Sequence, residues 1–93
     1  MAVIMIHDLP GMNRETIDGV KQAGVFNKMR SAPGFQGHWS GETETGYRVI
    51  ELWDSREAWR AWFNGTIEPN LPPGTQLPPP TFIDLYVEVH PAG

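Results

Sequence analysis

The sequence predicts an α+β fold of the ferredoxin-like kind, in the order β-α-β-β-α-β, and three observations carry that expectation. Four runs have strand character: Val3–Asp8, Phe35–Gly41, Tyr47–Asp54 and Thr81–Val89. The middle two are joined only by the polar stretch Glu42–Gly46 and read as a hairpin. The other two gaps hold the helical patterns, which yields the split βαβ order. With 93 residues the chain is one domain, spanning 1–93, because a second could not bury a core of its own.

Each element has a local reason. Val3–Asp8 is β-branched and apolar and runs into the turn signal Leu9-Pro10-Gly11. Asn13 is a good N-cap for a helix in which Ile17, Val20, Gly24, Phe26 and Met29 recur at roughly helical spacing. Gly19 and Gly24 each weaken it by about 1 kcal/mol relative to Ala, so it is expected to bend or end early. Ser31–Gly34 breaks the chain, and Phe35–Gly41 is a strand with poor alternation.

Tyr47–Asp54 is the clearest strand. Asp54 and Glu57 form an Asp-x-x-Glu capping box for a second helix through Ala58, Trp59, Trp62 and Phe63 towards Ile67, which Pro69 stops. Asn70–Pro80 holds five prolines in eleven residues, so extended backbone is expected. Thr81–Val89 is the last strand and His90–Gly93 a tail.

Composition excludes more than it selects. Seven basic residues against eleven acidic ones give a net charge of -4 with no basic stripe, so nucleic acid and anionic membranes are poor partners. There is no cysteine, hence no thiolate metal site or thiol nucleophile. The opening MAVIMIHDL lacks the flanks of a signal peptide, and no apolar run nears the roughly 20 residues of a membrane span, so a cytoplasmic location is expected. No glycine-rich strand-to-helix turn signals a nucleotide or flavin, and three scattered histidines do not spell a metal site, so no cofactor is expected.

The strands have two apolar faces. On one side lie Ile4 and Ile6, then Arg48, Ile50 and Leu52, then Ile83, Leu85, Val87 and Val89. On the other lie Val3, Met5 and His7, then Tyr47, Val49, Glu51 and Trp53, then Phe82, Asp84, Tyr86 and Glu88. The aliphatic side suits helix packing, and the mixed side suits a semi-polar cavity or an interface. Two copies meeting through their mixed faces would add the burial so short a chain lacks, so a homodimer is expected.

The segment GYRVIELWDSREAWRAWF, preceded by GFQGHWSG, resembles the antibiotic-biosynthesis-monooxygenase-like group of dimeric α+β barrels. The likeness centres on Glu51-Leu-Trp53-Asp54-Ser55 leading into Arg56-Glu-Ala-Trp59. It implies a dimeric α+β barrel with a small-molecule cavity, in a group that includes cofactor-independent monooxygenases (oxidoreductases), polyketide cyclases, isomerases and haem-degrading enzymes. The haem-degrading members use an Asn on the first strand, a Trp ending the third and a His after the second helix. Here His7 lies near the first position and Trp53 at the second, while Asn64–Pro69 offers no histidine for the third.

The candidate proton carriers are His7 and His38, each with a plainer reading as a strand-end or interface histidine. Glu51, mid-strand, needs a partner and is the candidate acid or positioning group; its plainer role is a structural hydrogen bond. Trp53 and Tyr47 share its face as cavity wall, and Trp39, Trp62 and Tyr86 complete the candidate substrate-binding set. Trp59 and Phe63, four apart, form a helix stripe of the kind that fills a core, while Arg48 is expected to snorkel at the surface. The expected function is an enzyme acting on an apolar or aromatic, polyketide-like molecule by oxygenation, cyclisation or isomerisation. The alternatives are a non-catalytic ligand-binding or dimerising protein, or haem binding through His7 or His38.

Overall fold

The computed structural model describes the whole chain, Met1–Gly93. In order it holds β1 (Val3–Pro10), α1 (Arg14–Gln22), α2 (Val25–Met29), β2 (Phe35–Glu42), β3 (Gly46–Trp53), α3 (Arg56–Trp62) and β4 (Thr81–Asp84). A wide π-type turn, Phe63–Ile67, and a tight 3-10 turn, Glu68–Asn70, continue α3 before the proline segment. The sheet order is β2-β3-β1-β4 with every neighbouring pair antiparallel, which is the ferredoxin-like α+β arrangement.

Asn13 caps α1, its side-chain oxygen accepting from the Thr16 amide. The first helical segment breaks at Gly24, whose φ of 82° lies in the left-handed region that costs glycine least. A second glycine is fixed by contact: at Gly46 an added Cβ would sit 2.4 Å from the Leu9 carbonyl oxygen, so the β1–β3 ladder closes tightly against Pro10 only with glycine there.

The second helix begins one residue later than the capping-box reading has it. Ser55 is the N-cap and accepts from the Ala58 amide. Asp54 instead accepts from the Gln36 side-chain amide at 2.6 Å, and its own amide donates to Gly34. Both residues are good caps, and the hairpin's far strand claims the carboxylate.

The expected assignment of the sheet faces is reversed. The mixed side is the one the helices cover: Val3, Met5, His7 and Leu9 of β1 and Tyr47, Glu51 and Trp53 of β3 are all buried. The core joins Val3, Met5, Met29, Trp53, Trp59 and Trp62. The aliphatic side is the more open one: Ile50 and Ile83 are exposed, Ile4 and Ile6 half-buried and Leu52 buried, with Trp39 of β2 on the same side at 60% exposure. Burial of the mixed side is possible because its polar groups are all hydrogen-bonded; no buried side-chain nitrogen or oxygen lacks a partner.

The last strand is shorter than expected. Pairing with β1 ends at Val3 with Asp84, and one further bond joins the Leu85 amide to Ala2. Beyond that point the segment pairs no further with β1, and Tyr86, Val87 and Val89 stand exposed at 96%, 66% and 84%. Arg48 does more than snorkel. It faces Asp8 directly across β1–β3 and grips both carboxylate oxygens, at 2.6 and 3.1 Å. That hydrogen bond holds the Asp8 carboxyl below its usual range and raises the Arg48 guanidinium above its own.

Candidate functional site

The poor alternation of β2 has a structural cause that also builds the site. A β-bulge shifts the β2–β3 register between Phe35 and Gly37. Phe35 and His38 are an odd number of residues apart and belong on opposite faces of a regular strand. The extra residue turns His38 inward beside Phe35, and Ser40 follows it on the same face. His38 then lies opposite Glu51, and Ser40 opposite Val49.

A chain of hydrogen bonds runs along this inner face. The Trp53 indole Nε1–H donates to Glu51 Oε1 at 2.9 Å, and His38 Nδ1 lies 2.7 Å from Glu51 Oε2. His38 Nε2 lies 2.8 Å from Ser40 Oγ, which is 2.7 Å from the Tyr47 hydroxyl. An indole can only donate, so Glu51 Oε1 accepts. With Glu51 ionised, His38 donates from Nδ1 and leaves Nε2 as a base, satisfied by the Ser40 hydroxyl, which in turn accepts from Tyr47. Glu51 is 4% exposed and both its oxygens are engaged, so it serves as the buried anchor of the imidazole.

This chain forms part of the wall of an apolar cavity of about 150 Å³ between the sheet and the helices. His38, Ser40, Tyr47 and Glu51 line one side, and Trp62 and Phe63 contribute aromatic surface. Ile17 and Val20 of α1 are half-buried and also line it, which is where that helix spends its apolar face.

His7 lies on the same face, 5% exposed, with Trp59 and Phe63 edge-on to its ring at 6.1 and 6.0 Å. Its Nε2–H donates to the Pro78 carbonyl at 2.7 Å, tying β1 to the proline segment. His7 lines the inner cavity and also a second one of about 320 Å³ beneath that segment.

The structure therefore gathers His7, His38, Glu51, Tyr47 and Trp62 around one cavity. Trp53 is not among its lining. It is fully buried in the core against Phe35 and Trp62 and reaches the site only through its indole N–H. Trp39 and Tyr86 also lie outside, Trp39 on the open sheet face and Tyr86 in the exposed C-terminal segment. Trp59 stacks on Phe63 at 4.8 Å within the core. Sequence reasoning missed Ser40 and the Pro78 carbonyl. Ser40 had a signal, two residues after His38 on one strand face; a backbone carbonyl has none.

No group of three or more histidine and carboxylate side chains is placed to hold a metal ion. Both ring nitrogens of His38 are engaged, and His7 Nε2 is held by Pro78. The inner cavity has the size that takes about one benzene ring.

No protein-family model matches the chain, and no curated protein matches its sequence. Its fold does match solved structures. One is a haem-degrading protein of Mycobacterium tuberculosis, heme free, at 20% identity and a TM-score of 0.60, over 97% of this chain and 100% of that one. A mutant of MhuD with two manganese protoporphyrin IX bound per active site matches at 19% identity and 0.59, over 97% and 99%. The monooxygenase from the gene ActVA-Orf6 of Streptomyces coelicolor, in complex with nanaomycin D, matches at 19% and 0.54, over 98% and 91%. The chain thus has the fold of the antibiotic-biosynthesis-monooxygenase-like proteins. No helix is long and apolar enough to cross a membrane.

Proposed function

We propose that this chain is a small-molecule enzyme that takes a proton from an aromatic ligand held in the inner cavity. The observation that carries the reading is His38, held by buried Glu51 at 2.7 Å, with its other nitrogen directed to Ser40 on the wall of an apolar cavity. A positioned imidazole oriented by a carboxylate is the arrangement general-base catalysis needs. The substrate-binding surface is Tyr47 with Trp62 and the aliphatic side chains of α1.

The step is a proton transfer. An acidic C–H beside a carbonyl, or a phenolic O–H, gives its proton to Ser40 Oγ as Ser40 hands its own to His38 Nε2. Glu51 stabilises the resulting imidazolium through Nδ1–H. The electron pair left on carbon then has three fates. It bonds to dioxygen as co-reactant and gives a hydroperoxide after protonation, it closes a ring on an electrophilic carbon of the same molecule, or it is reprotonated elsewhere as an isomerisation. The ActVA-Orf6 monooxygenase among the structural neighbours supports the first.

The open aliphatic face, Ile4, Ile6, Ile50 and Ile83 with Trp39, supports a homodimer formed through that face instead of the mixed one.

The test is deuterium exchange into the methyl group of para-hydroxyacetophenone in heavy water, followed by mass spectrometry. Exchange above the buffer rate, lost in His38→Ala and Glu51→Gln, supports the reading. Exchange at the buffer rate, or unchanged in both variants, refutes it. Oxygen uptake during the same incubation separates oxygenation from the other two fates. Nanaomycin D and haem, the neighbours' ligands, serve as competing binders followed by tryptophan emission.

A further inference from the structure

The inner cavity, at about 150 Å³, has room for one aromatic ring and little more. Ordinary ligand sites run from about 300 to 1,000 Å³. The second cavity, about 320 Å³ beneath the proline segment, makes up the difference. His7, Phe63, Leu71 and Leu77 line both cavities, so the two lie side by side along these four. The His7 ring is fixed there by the Pro78 carbonyl.

The outer cavity differs in chemistry from the inner one. Its floor is the Trp59–Phe63 stack, and its rim carries Thr75, Pro78 and Glu68. Among its lining residues Glu68 is the one carboxylate, and there is no lysine or arginine. Arg56 and Arg60, the basic residues of α3, are directed to the Phe82 ring instead, each at 5.5 Å. An incoming carboxylate or phosphate meets Glu68 with no cation to offset it. An ammonium group meets Glu68, which attracts it.

We propose that the outer cavity is a second subsite that selects ligands carrying a protonated amine on an arm attached to the buried ring. The arm reaches past His7 into the outer cavity while the ring occupies the inner one. This rests on the reading of the inner cavity as the ring site, and it adds the class of ligand: an arylalkylamine, with acids of the same length rejected.

The experiment compares three phenols by isothermal titration of the full chain at low ionic strength. Para-cresol has the ring alone, tyramine adds an amine arm, and para-hydroxyphenylpropionate adds an acidic arm. Tyramine is expected to bind about five- to tenfold more tightly than para-cresol, and the propionate more weakly than either. Glu68→Lys inverts the order of tyramine and propionate and leaves para-cresol unchanged. Thr75→Trp, on an exposed loop residue that lines only the outer cavity, fills that space and removes the tyramine advantage without moving para-cresol. If para-cresol binds but both arms leave affinity unchanged, the second subsite is wrong while the ring site stands. If Glu68→Lys shifts all three ligands equally, the charge selection is wrong. If none of the three binds, the ring site and the subsite fall together.

Discussion

Glu51 and His38, directly opposite each other on β3 and β2, meet at 2.7 Å through a carboxylate oxygen and Nδ1. The second oxygen of Glu51 is taken by the Trp53 indole, so one buried carboxylate orients the imidazole and satisfies a fully buried core indole. Removing it therefore has two separable consequences.

Glu51→Gln preserves shape but reverses polarity. The amide carbonyl accepts from Trp53, and the amide nitrogen donates to His38 Nδ1, so the imidazole proton moves to Nε2 and the basic nitrogen is lost. The fold is expected to survive while deuterium exchange into a ring ketone falls by about 10³–10⁴. Nitrogen-15 shifts of His38 report the tautomer directly.

Glu51→Leu removes both acceptors. Trp53 Nε1–H and His38 Nδ1 are left without their partner on the buried face, and the expected loss is about 3 kcal/mol in denaturant unfolding. A loss under about 1 kcal/mol would mean the two donors find other acceptors.

Trp53→Phe tests whether this ring is core or cavity wall. It deletes a fully buried indole's second ring and its hydrogen bond, so stability is expected to fall by about 2 kcal/mol. Ligand affinity in the inner cavity is expected to change less than in Trp62→Ala, since Trp62 lines that cavity and Trp53 does not. Titration of each variant with para-cresol checks the order.

The Asp8–Arg48 pair gives a pH signature. The folded Asp8 pKa is depressed below 3.8, so the pair's contribution is complete above that value and lost as the pH falls through the folded pKa. Arg48 is raised above its ordinary value, so its part is lost only on the far alkaline side. The difference in melting temperature between the parent and Asp8→Asn is expected to stay constant from neutral pH down to the carboxylate range and to vanish below it.

The open sheet face gives the last substitution. Ile50→Lys places a charge on an exposed aliphatic position and is expected to leave the monomer fold intact while shifting a dimer to monomer in sedimentation velocity. A parent chain already monomeric at high micromolar concentration would remove the dimer.

Much of this architecture is legible in the residues. The hairpin, the Asn13 cap, the break at Gly24 and the Trp59–Phe63 stripe each follow from local chemistry. The sheet faces do not, because alternation shows that two faces exist and not which one the helices take. That choice was decided by His7, His38 and Glu51 each finding a hydrogen-bond partner inside. The end of β4 is a tertiary fact as well: Val87 and Val89 have strand character, but pairing with β1 stops at Val3 and Asp84. The site residues were half legible. His7, His38, Glu51 and Tyr47 line the cavity, whereas the bulge that turns His38 inward and the Pro78 carbonyl that holds His7 depend on pairings across the fold.

The most direct test of the central claim, that the His38–Glu51 pair accepts a proton from a ring in the inner cavity, is the phenolate absorbance of bound para-nitrophenol. The titration is run about one pH unit below the free phenol's own pKa. The expected result is a larger phenolate fraction for bound than for free ligand, abolished in His38→Gln and in Glu51→Gln while binding persists. A bound ligand no more ionised than the free one, or an excess of phenolate that survives His38→Gln, would contradict it.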